Sequence, residues 1–578
     1  MTLVLSGTGV TDGIAIGTVH LLSAGELELP EYHLNPATVE SEIRRLEQAV
    51  VRSEDLLAHM VGKLRSSASE PAVELLDAHR LMLRDELLLG EACRRIREHR
   101  INAEWALDQQ SVNLRKQFER MDDDYLAMRV EDLDQVVRLI QRELAEQPAP
   151  LLDDRVPHQL DRTVILASEL SPAELALLHQ RQVAGLVTQH GGIWAHSAIV
   201  ARALEIPMIV AVHRAMRLLQ EGEPLILDGH YGVVLATRDA GMHTHYSEKL
   251  QATRHRRADL VRYLDQPDRT RDGQRFKLYG NAELPTELAR CREMKAAGIG
   301  LMRTEFLFGR HQLDDEEAQF EAFREATEIM DGRPITIRTL DVGGDKLPPE
   351  LARTRGPNPA LGLRGLRMSL AMTEYFQAQV RAILRASRHG PVRILLPMLT
   401  GIEEVRQARQ LIAACADQLR SHGLRPDPEV PVGGMIETPA AALITHRLVH
   451  ELDFLSIGTN DLIQYVLAVD RQDELVSHLY EPTHPAVLNL IDRVVRAAAG
   501  ARRRLEVCGE MAGDPVYVRL LLGLGVVEFS MPPAHLPEIK AVLRQSHAGR
   551  CRELVSAYLE GPESFPGAEL LARLAESG

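Results

Sequence analysis

One imidazole, that of His196, stands where a glycine-containing loop gives way to residues of helical composition. Gly191 and Gly192 permit a tight turn, Ser197 to Leu204 suits a helix, and Ile206 to Val212 is an apolar, β-branched run that suits a buried strand. At a helix N-terminus the unpaired amides and the dipole favour an anion and disfavour an imidazolium. Such a ring stays neutral and nucleophilic and can accept a phosphate. A lone histidine beside a Gly-Gly turn is more often a capping or solvated residue, and this segment alone does not establish chemistry.

Further on, polar groups recur where short apolar runs stop: Asn281 and Glu283, Arg303 and Glu305, Arg338 with Asp341, Met398, Glu437, Asn460 with Asp461, Cys508 with Glu510, and Ser530 with Met531. Arg303, Arg338 and Arg471 would clamp phosphate and carboxylate oxygens two at a time. Glu437 and Asp461 supply the hard oxygens that Mg2+ prefers, with substrate oxygens and water completing its shell. Taken singly, each Arg or Asp reads as a rim salt bridge; taken together they read as a polyanion site with a metal. Cys508 closes one run before Gly509, a position that suits inert packing as well as chemistry. Val342 to Leu361, rich in Gly and Pro and carrying Lys346, is either a lid or a solvated loop.

The elements that must hold these groups follow from periodicity. From Phe276 onward, strands alternate with helices: Phe276 to Gly280, Ile299 to Met302, Ile335 to Leu340, Val392 to Pro397, Val432 to Ile436, Phe454 to Ile457, Leu505 to Val507, and Val526 to Phe529. Eight such repeats predict a closed (β/α)8 barrel, whose active sites lie at the C-terminal ends of the strands. Before it, Thr163 to Ser168, Ala184 to Thr188, Pro224 to Asp228 and Gly232 to Leu235 predict a compact α/β unit, which the short strands of Met1 to Ala24 would join. Asn35 to Glu146 is 3.6-periodic and nearly free of Gly and Pro, with Asn102 placed as an N-cap. The expected organisation is multidomain α/β: residues 1–24 and 147–238 as the histidine-bearing domain, 25–146 as an inserted helical bundle, 239–272 as a linker helix and 273–578 as the barrel.

With 578 residues, 45% hydrophobic and 26% charged, the composition is ordinary for globular domains. A formal charge of −15 argues against general nucleic-acid binding. Met1 to Gly17 has no basic segment followed by an apolar core, and no apolar run approaches the ~18 residues of a membrane span, which predicts a cytoplasmic protein without membrane insertion. The five cysteines are scattered without CxxC spacing, so neither a disulfide framework nor a zinc site is implied.

At this point the residues resemble Enzyme I of the bacterial phosphotransferase system, the phosphoenolpyruvate–protein phosphotransferases, over essentially the whole chain. The strings that carry the resemblance are GIGLMRTEFLF (Gly298 to Phe308), TIRTLDVGGDK (Thr336 to Lys346), NPALGLRGLR (Asn358 to Arg367), GGMIETPAA (Gly433 to Ala441), DFLSIGTNDLIQYVLAVDR (Asp453 to Arg471) and VCGEMAGD (Val507 to Asp514). The resemblance implies that Arg303, Arg338, Asn460 and Arg471, supported by Arg364, bind phosphoenolpyruvate. It implies that Glu437 and Asp461 hold Mg2+ and that Cys508 protonates the enolate carbon. His196 would take the phosphoryl group and pass it to a histidine of the carrier HPr, docked on the helical insert, in a homodimer joined through the barrel. Charging and discharging His196 would need a hinged rearrangement about Asp239 to Asp272.

One departure stands beside the match. The family usually reads GG-R-T-S-H, whereas Ile193, Trp194 and Ala195 precede His196 here. Pyruvate phosphate dikinase and phosphoenolpyruvate synthase share the histidine unit and the barrel but need an ATP-binding domain, for which no Gly-rich segment exists. The remaining alternatives are a nitrogen-branch phosphotransferase, a regulatory protein that senses phosphoenolpyruvate, and a carbon–carbon bond enzyme on a related barrel, which would leave His196 unexplained.

Overall fold

A computed structural model describes residues 2–11, 13–22, 29–65, 79–80, 82–119, 124–145, 159–192, 196–204, 206–283, 285–305, 315–342, 358–424, 426–427, 429–471, 476–560 and 566–577. The Lys346 stretch, the Ile193-Trp194-Ala195 triplet and residues 66–78 of the expected helical bundle lie outside them. The chain divides into two compact units, Met1–His255 and Arg256–Gly578.

The first unit is built on a mixed sheet. Its strands are β1 (Leu3–Ser6), β2 (Thr8–Gly9), β3 (Ile14–Leu22), β4 (Thr163–Ala167), β5 (Gly185–Thr188), β6 (Met208–Val210), β7 (Pro224–Asp228) and β8 (Val233–Ala236), in the order β1-β8-β7-β3-β4-β5-β6-β2. The opening residues do join the later sheet, and they supply both outer strands: β1 pairs antiparallel with β8, and β2 with β6. Ile165 and Leu186 are fully buried against the helices Pro172–Gln180 and His196–Ala203, whereas Val164 and Ile209 are buried in a second cluster with Val19, Val212 and Leu219. Ser171 opens the first of these helices with a capping box to Glu174.

The helices Val39–Arg65, Glu91–His99, Ala103–Glu119 and Asp124–Leu144 pack around Leu46, Ile96, Leu107 and Ile140, all buried. Asn102 holds the expected N-cap position, its carbonyl taking the first helical bond from the Ala106 amide at 3.0 Å, but its side chain does not supply the cap. Its side chain instead accepts from the Tyr32 amide at 3.1 Å and donates to the Pro30 carbonyl at 2.7 Å. The cap comes from Glu42, which accepts from the Ala103 amide at 2.9 Å and is itself held by Arg45 at 2.6 Å. A long-range carboxylate replaces the local one, so the asparagine is free to pin the entering chain.

The second unit is a closed, all-parallel barrel. It comprises β9 (Lys277–Ala282), β10 (Ile299–Met302), β11 (Ile335–Arg338), β12 (Val392–Leu396), β13 (Val432–Ile436), β14 (Phe454–Ile457), β15 (Arg504–Val507) and β16 (Glu528–Met531), closed by β16 pairing with β9. Alternation sorts its side chains. Ile335, Ile337, Ile394, Leu455, Ile457, Val507 and Phe529 face the helices in one continuous core, while Leu301, Leu395, Met435, Phe454 and Cys508 form a separate interior cluster. Truncating the fully buried Phe529 to alanine would cost about 3–5 kcal/mol. β11 stops at Arg338 rather than Leu340 because the Leu340 amide bonds the Gln379 side chain, 2.9 Å away, and leaves the ladder.

Candidate active site

The C-terminal mouth of the barrel carries an unbroken chain of alternating charges. Arg338, the last residue of β11, donates to Glu305 at 2.9 Å and lies 3.2 Å from Asp341. Asp341 in turn accepts two bonds from Arg364, at 3.0 and 2.9 Å, and Arg364 reaches Asp461 at 3.0 Å and the Tyr465 hydroxyl at 3.2 Å. Gly365 makes this approach possible. It has φ +57°, and a Cβ there would fall 2.7 Å from that of Met398.

The charges explain one another. Burial works against both guanidinium ions, yet Glu305 and Asp341 hold the Arg338 pKa above its ordinary value, and Asp341 does the same for Arg364. Burial likewise opposes ionisation of Asp341, and Arg338 and Arg364 override it, so its pKa is lowered. Arg338 Nε is buried with no hydrogen-bond partner among the described residues. It is a donor already desolvated.

Glu437 follows β13 and is buried at 2% exposure. One of its oxygens accepts from the Met398 amide at 2.6 Å. Its pKa lies well above the usual carboxylate range, first because it is buried and then because Asp461 and Asp341 bring like charge. Among the described residues no three His, Cys, Asp or Glu side chains converge as an all-protein metal cage would require. Glu437 and Asp461 nonetheless fit a hard divalent cation that keeps water and substrate oxygens in its shell, because it would reverse the repulsion between them.

The other predicted residues lie around this chain of charges. Arg471, in the loop after the helix Thr459–Leu467, reaches Glu510 at 3.0 Å. Asn460 locks the same glutamate twice, donating at 2.8 Å and accepting from its amide at 2.9 Å. Arg303 pairs with Glu283 at 2.7 Å, and its charge also reaches Asp341. Cys508 sits just inside the mouth, buried, receiving a hydrogen bond from the Ser456 hydroxyl at 3.2 Å. Burial pushes its thiol up to about 12, and the charges of Glu437 and Arg338 both act on it. Arg303, Arg338, Arg364, Glu437, Asn460, Asp461, Arg471 and Cys508 thus converge on one end of one barrel. His196 belongs to the first unit, where it begins the helix His196–Ala203 after Gly191, which has φ +105°.

The partners Glu283, Glu305, Asp341 and Glu510 had no role in the sequence reading. Their positions at the ends of strands were visible; their pairing with specific guanidinium groups was not. They balance the charge of the four guanidinium groups, and an anion binding there would exchange with them.

A parallel barrel whose mouth combines four arginines with a carboxylate pair, one member of it buried, belongs to enzymes that bind compact polyanions. Comparison with known proteins agrees. The family model described as "PEP-utilising enzyme, PEP-binding domain" matches residues 257–548, "PEP-utilising enzyme, N-terminal" matches 6–129, and "PEP-utilising enzyme, mobile domain" matches 160–232. A phosphoenolpyruvate-protein phosphotransferase of Cupriavidus necator is 40% identical over the whole of both chains. Those of Geobacillus stearothermophilus and Bacillus subtilis are each 36% identical, over 95% of both chains and over 91% of this chain and 92% of the relative, respectively. The chain therefore belongs to the phosphoenolpyruvate-protein phosphotransferases, the Enzyme I family of PEP-utilising enzymes.

Proposed function

We propose that this protein transfers the phosphoryl group of phosphoenolpyruvate to its own His196 and then to a histidine of an HPr-type carrier, releasing pyruvate, as the first step of a cytoplasmic phosphotransferase system. The observation that carries the reading is the run Glu305–Arg338–Asp341–Arg364–Asp461, a clamp of desolvated guanidinium groups whose carboxylate partners a phosphate and a carboxylate can displace.

In this reading Arg303, Arg338, Arg364, Arg471 and Asn460 orient the substrate and spread the charge of the phosphoryl group in flight. That is most of what phosphoryl transfer requires of a protein. Glu437 and Asp461 would hold Mg2+, which supplies further neutralisation at the phosphate and enolate oxygens. Cys508 keeps its proton through neutral pH and gives it to the methylene carbon. The S–H bond breaks, a C–H bond forms, and pyruvate leaves with a methyl group. Residues 1–24 and 147–238 would carry His196, 25–146 would dock the carrier, and 239–272 would join them to the barrel at 273–578.

Incubation with phosphate-labelled phosphoenolpyruvate and Mg2+ is expected to give one acid-labile label per chain, lost in His196→Ala. Label that persists in the variant would remove His196 from the reaction.

A further inference from the structure

The strand β12 ends in a corner that the backbone alone does not favour. Met398, two residues past the end of the strand, has φ +56°, a left-handed conformation that a residue with a side chain keeps only where its neighbours hold it. Three neighbours do so. The Leu366 amide donates to the Pro397 carbonyl at 3.3 Å, the Thr438 hydroxyl donates to the Leu399 carbonyl at 2.5 Å, and the Met398 side chain packs over the bare Gly365. The corner brings the Met398 amide onto Glu437 Oε1 at 2.6 Å. The other oxygen, Oε2, lies against Gly458, the N-cap of the helix Thr459–Leu467 that carries Asp461. A Cβ on Gly458 would stand 3.0 Å from Oε2 and 3.1 Å from the Glu437 Cβ, both closer than ordinary van der Waals contact. Gly458 has φ −90°, a value open to any residue, so its missing side chain supplies room for the carboxylate rather than backbone freedom.

We propose that Met398 and Gly458 are the positioning residues of the cation site: the amide of one binds Oε1 of Glu437, and the bare Cα of the other leaves Oε2 as the oxygen offered to the cation, on the side of the helix that carries Asp461. The inference rests on the reading that Glu437 and Asp461 hold a divalent cation, and it names what aims the first of them. Each oxygen of Glu437 meets one backbone fixture. The carboxylate therefore cannot turn about its Cγ–Cδ bond without releasing the Met398 amide. Held in this way it presents a single oxygen and needs no reordering when the ion arrives. One oxygen from each carboxylate also leaves positions in the shell for water and substrate oxygens. Neither Met398 nor Gly458 touches the cation; both act through Glu437.

The test is calorimetric titration of the full chain with Mn2+ in place of Mg2+, without phosphoenolpyruvate. Gly458→Ala leaves both carboxylates in the chain and is expected to weaken Mn2+ binding by about tenfold or more, because the added methyl displaces Oε2. At 398, two variants separate the backbone conformation from the side chain. Met398→Val, whose branched Cβ opposes a positive φ, is expected to weaken Mn2+ by about tenfold as well. Met398→Gly takes that φ freely, keeps the amide, and is expected to stay within about threefold of the parent. A merely structural role for residue 398 predicts the reverse order, since glycine leaves the larger cavity. Parental affinity in either Gly458→Ala or Met398→Val, or a greater loss in Met398→Gly than in Met398→Val, overturns the proposal. Should Gly458→Ala fail to fold, the order at 398 decides. No Mn2+ binding by the unaltered chain would overturn the cation reading itself, so the two failures are distinguishable.

Discussion

Arg364 holds Asp461 directly: Nη2 of the guanidinium lies 3.0 Å from a carboxylate oxygen on the first turn of the helix Thr459–Leu467. The same nitrogen lies 2.9 Å from Asp341, so one side chain ties together two strand ends that the sequence separates widely. A lysine keeps the charge but cannot make the fork. Arg364→Lys is expected to raise the KM for phosphoenolpyruvate by about ten- to a hundredfold, equivalent to losing one charge-assisted hydrogen bond. A KM within twofold of the parent in the charging assay would exclude Arg364 from substrate binding.

Glu437 is the buried carboxylate that a cation would stabilise most. Glu437→Gln keeps its shape and its acceptor for the Met398 amide while removing the charge. Calorimetric titration with Mn2+ is expected to show affinity reduced by about tenfold or more. Equal affinity in parent and variant would place the cation elsewhere.

Cys508 combines burial with a thiol pKa near 12, so at pH 8 about one molecule in ten thousand carries the reactive thiolate there. Native protein treated with iodoacetamide at pH 8 is expected to remain unmodified at Cys508 for hours by peptide mass analysis. Cys508→Ser is expected to slow pyruvate formation with phosphoenolpyruvate binding retained. Complete alkylation within minutes would contradict the burial, and unchanged turnover in the serine variant would contradict the proton-donor role.

Asp272 shows how pH bears on the barrel. Burial pushes its carboxyl up, but the Thr270 hydroxyl and the amides of Gly549 and Ala548 outweigh it and bring the pKa down to about 2. A carboxyl with a lowered folded-state pKa stabilises above its unfolded value near 4 and loses that contribution as pH falls towards 2. Asp272→Asn is expected to cost about 1 kcal/mol at pH 7 after allowance for solvent screening. Urea midpoints of variant and parent should converge between about pH 4 and pH 2. A gap that stays constant over that range would show that the charge plays no part.

What the sequence revealed, and what it hid, divides by range. β10, β13 and β14 begin and end where their apolar runs do, because glycine or charge interrupts the pattern locally. The run Ile206 to Val212 shortens to Met208–Val210, since the Ile206 amide closes the preceding helix on Ala201 and Ala211 takes φ +57°. At the site, residue types were legible: guanidinium groups, two carboxylates and a thiol at strand ends. Their pairing was not, because Arg364 meets Tyr465 from 101 positions away and Asn460 meets Glu510 from 50.

Because Leu3–Ser6 and Thr8–Gly9 seal opposite rims of the first sheet, seven residues at the start of the chain wait for partners at 208–236. During synthesis the helices of 39–144 would emerge and pack first, while that ribbon stays unmatched until the ribosome has passed residue 236. Deleting it would bare β6 and β8 together, leaving two open templates for pairing with another molecule.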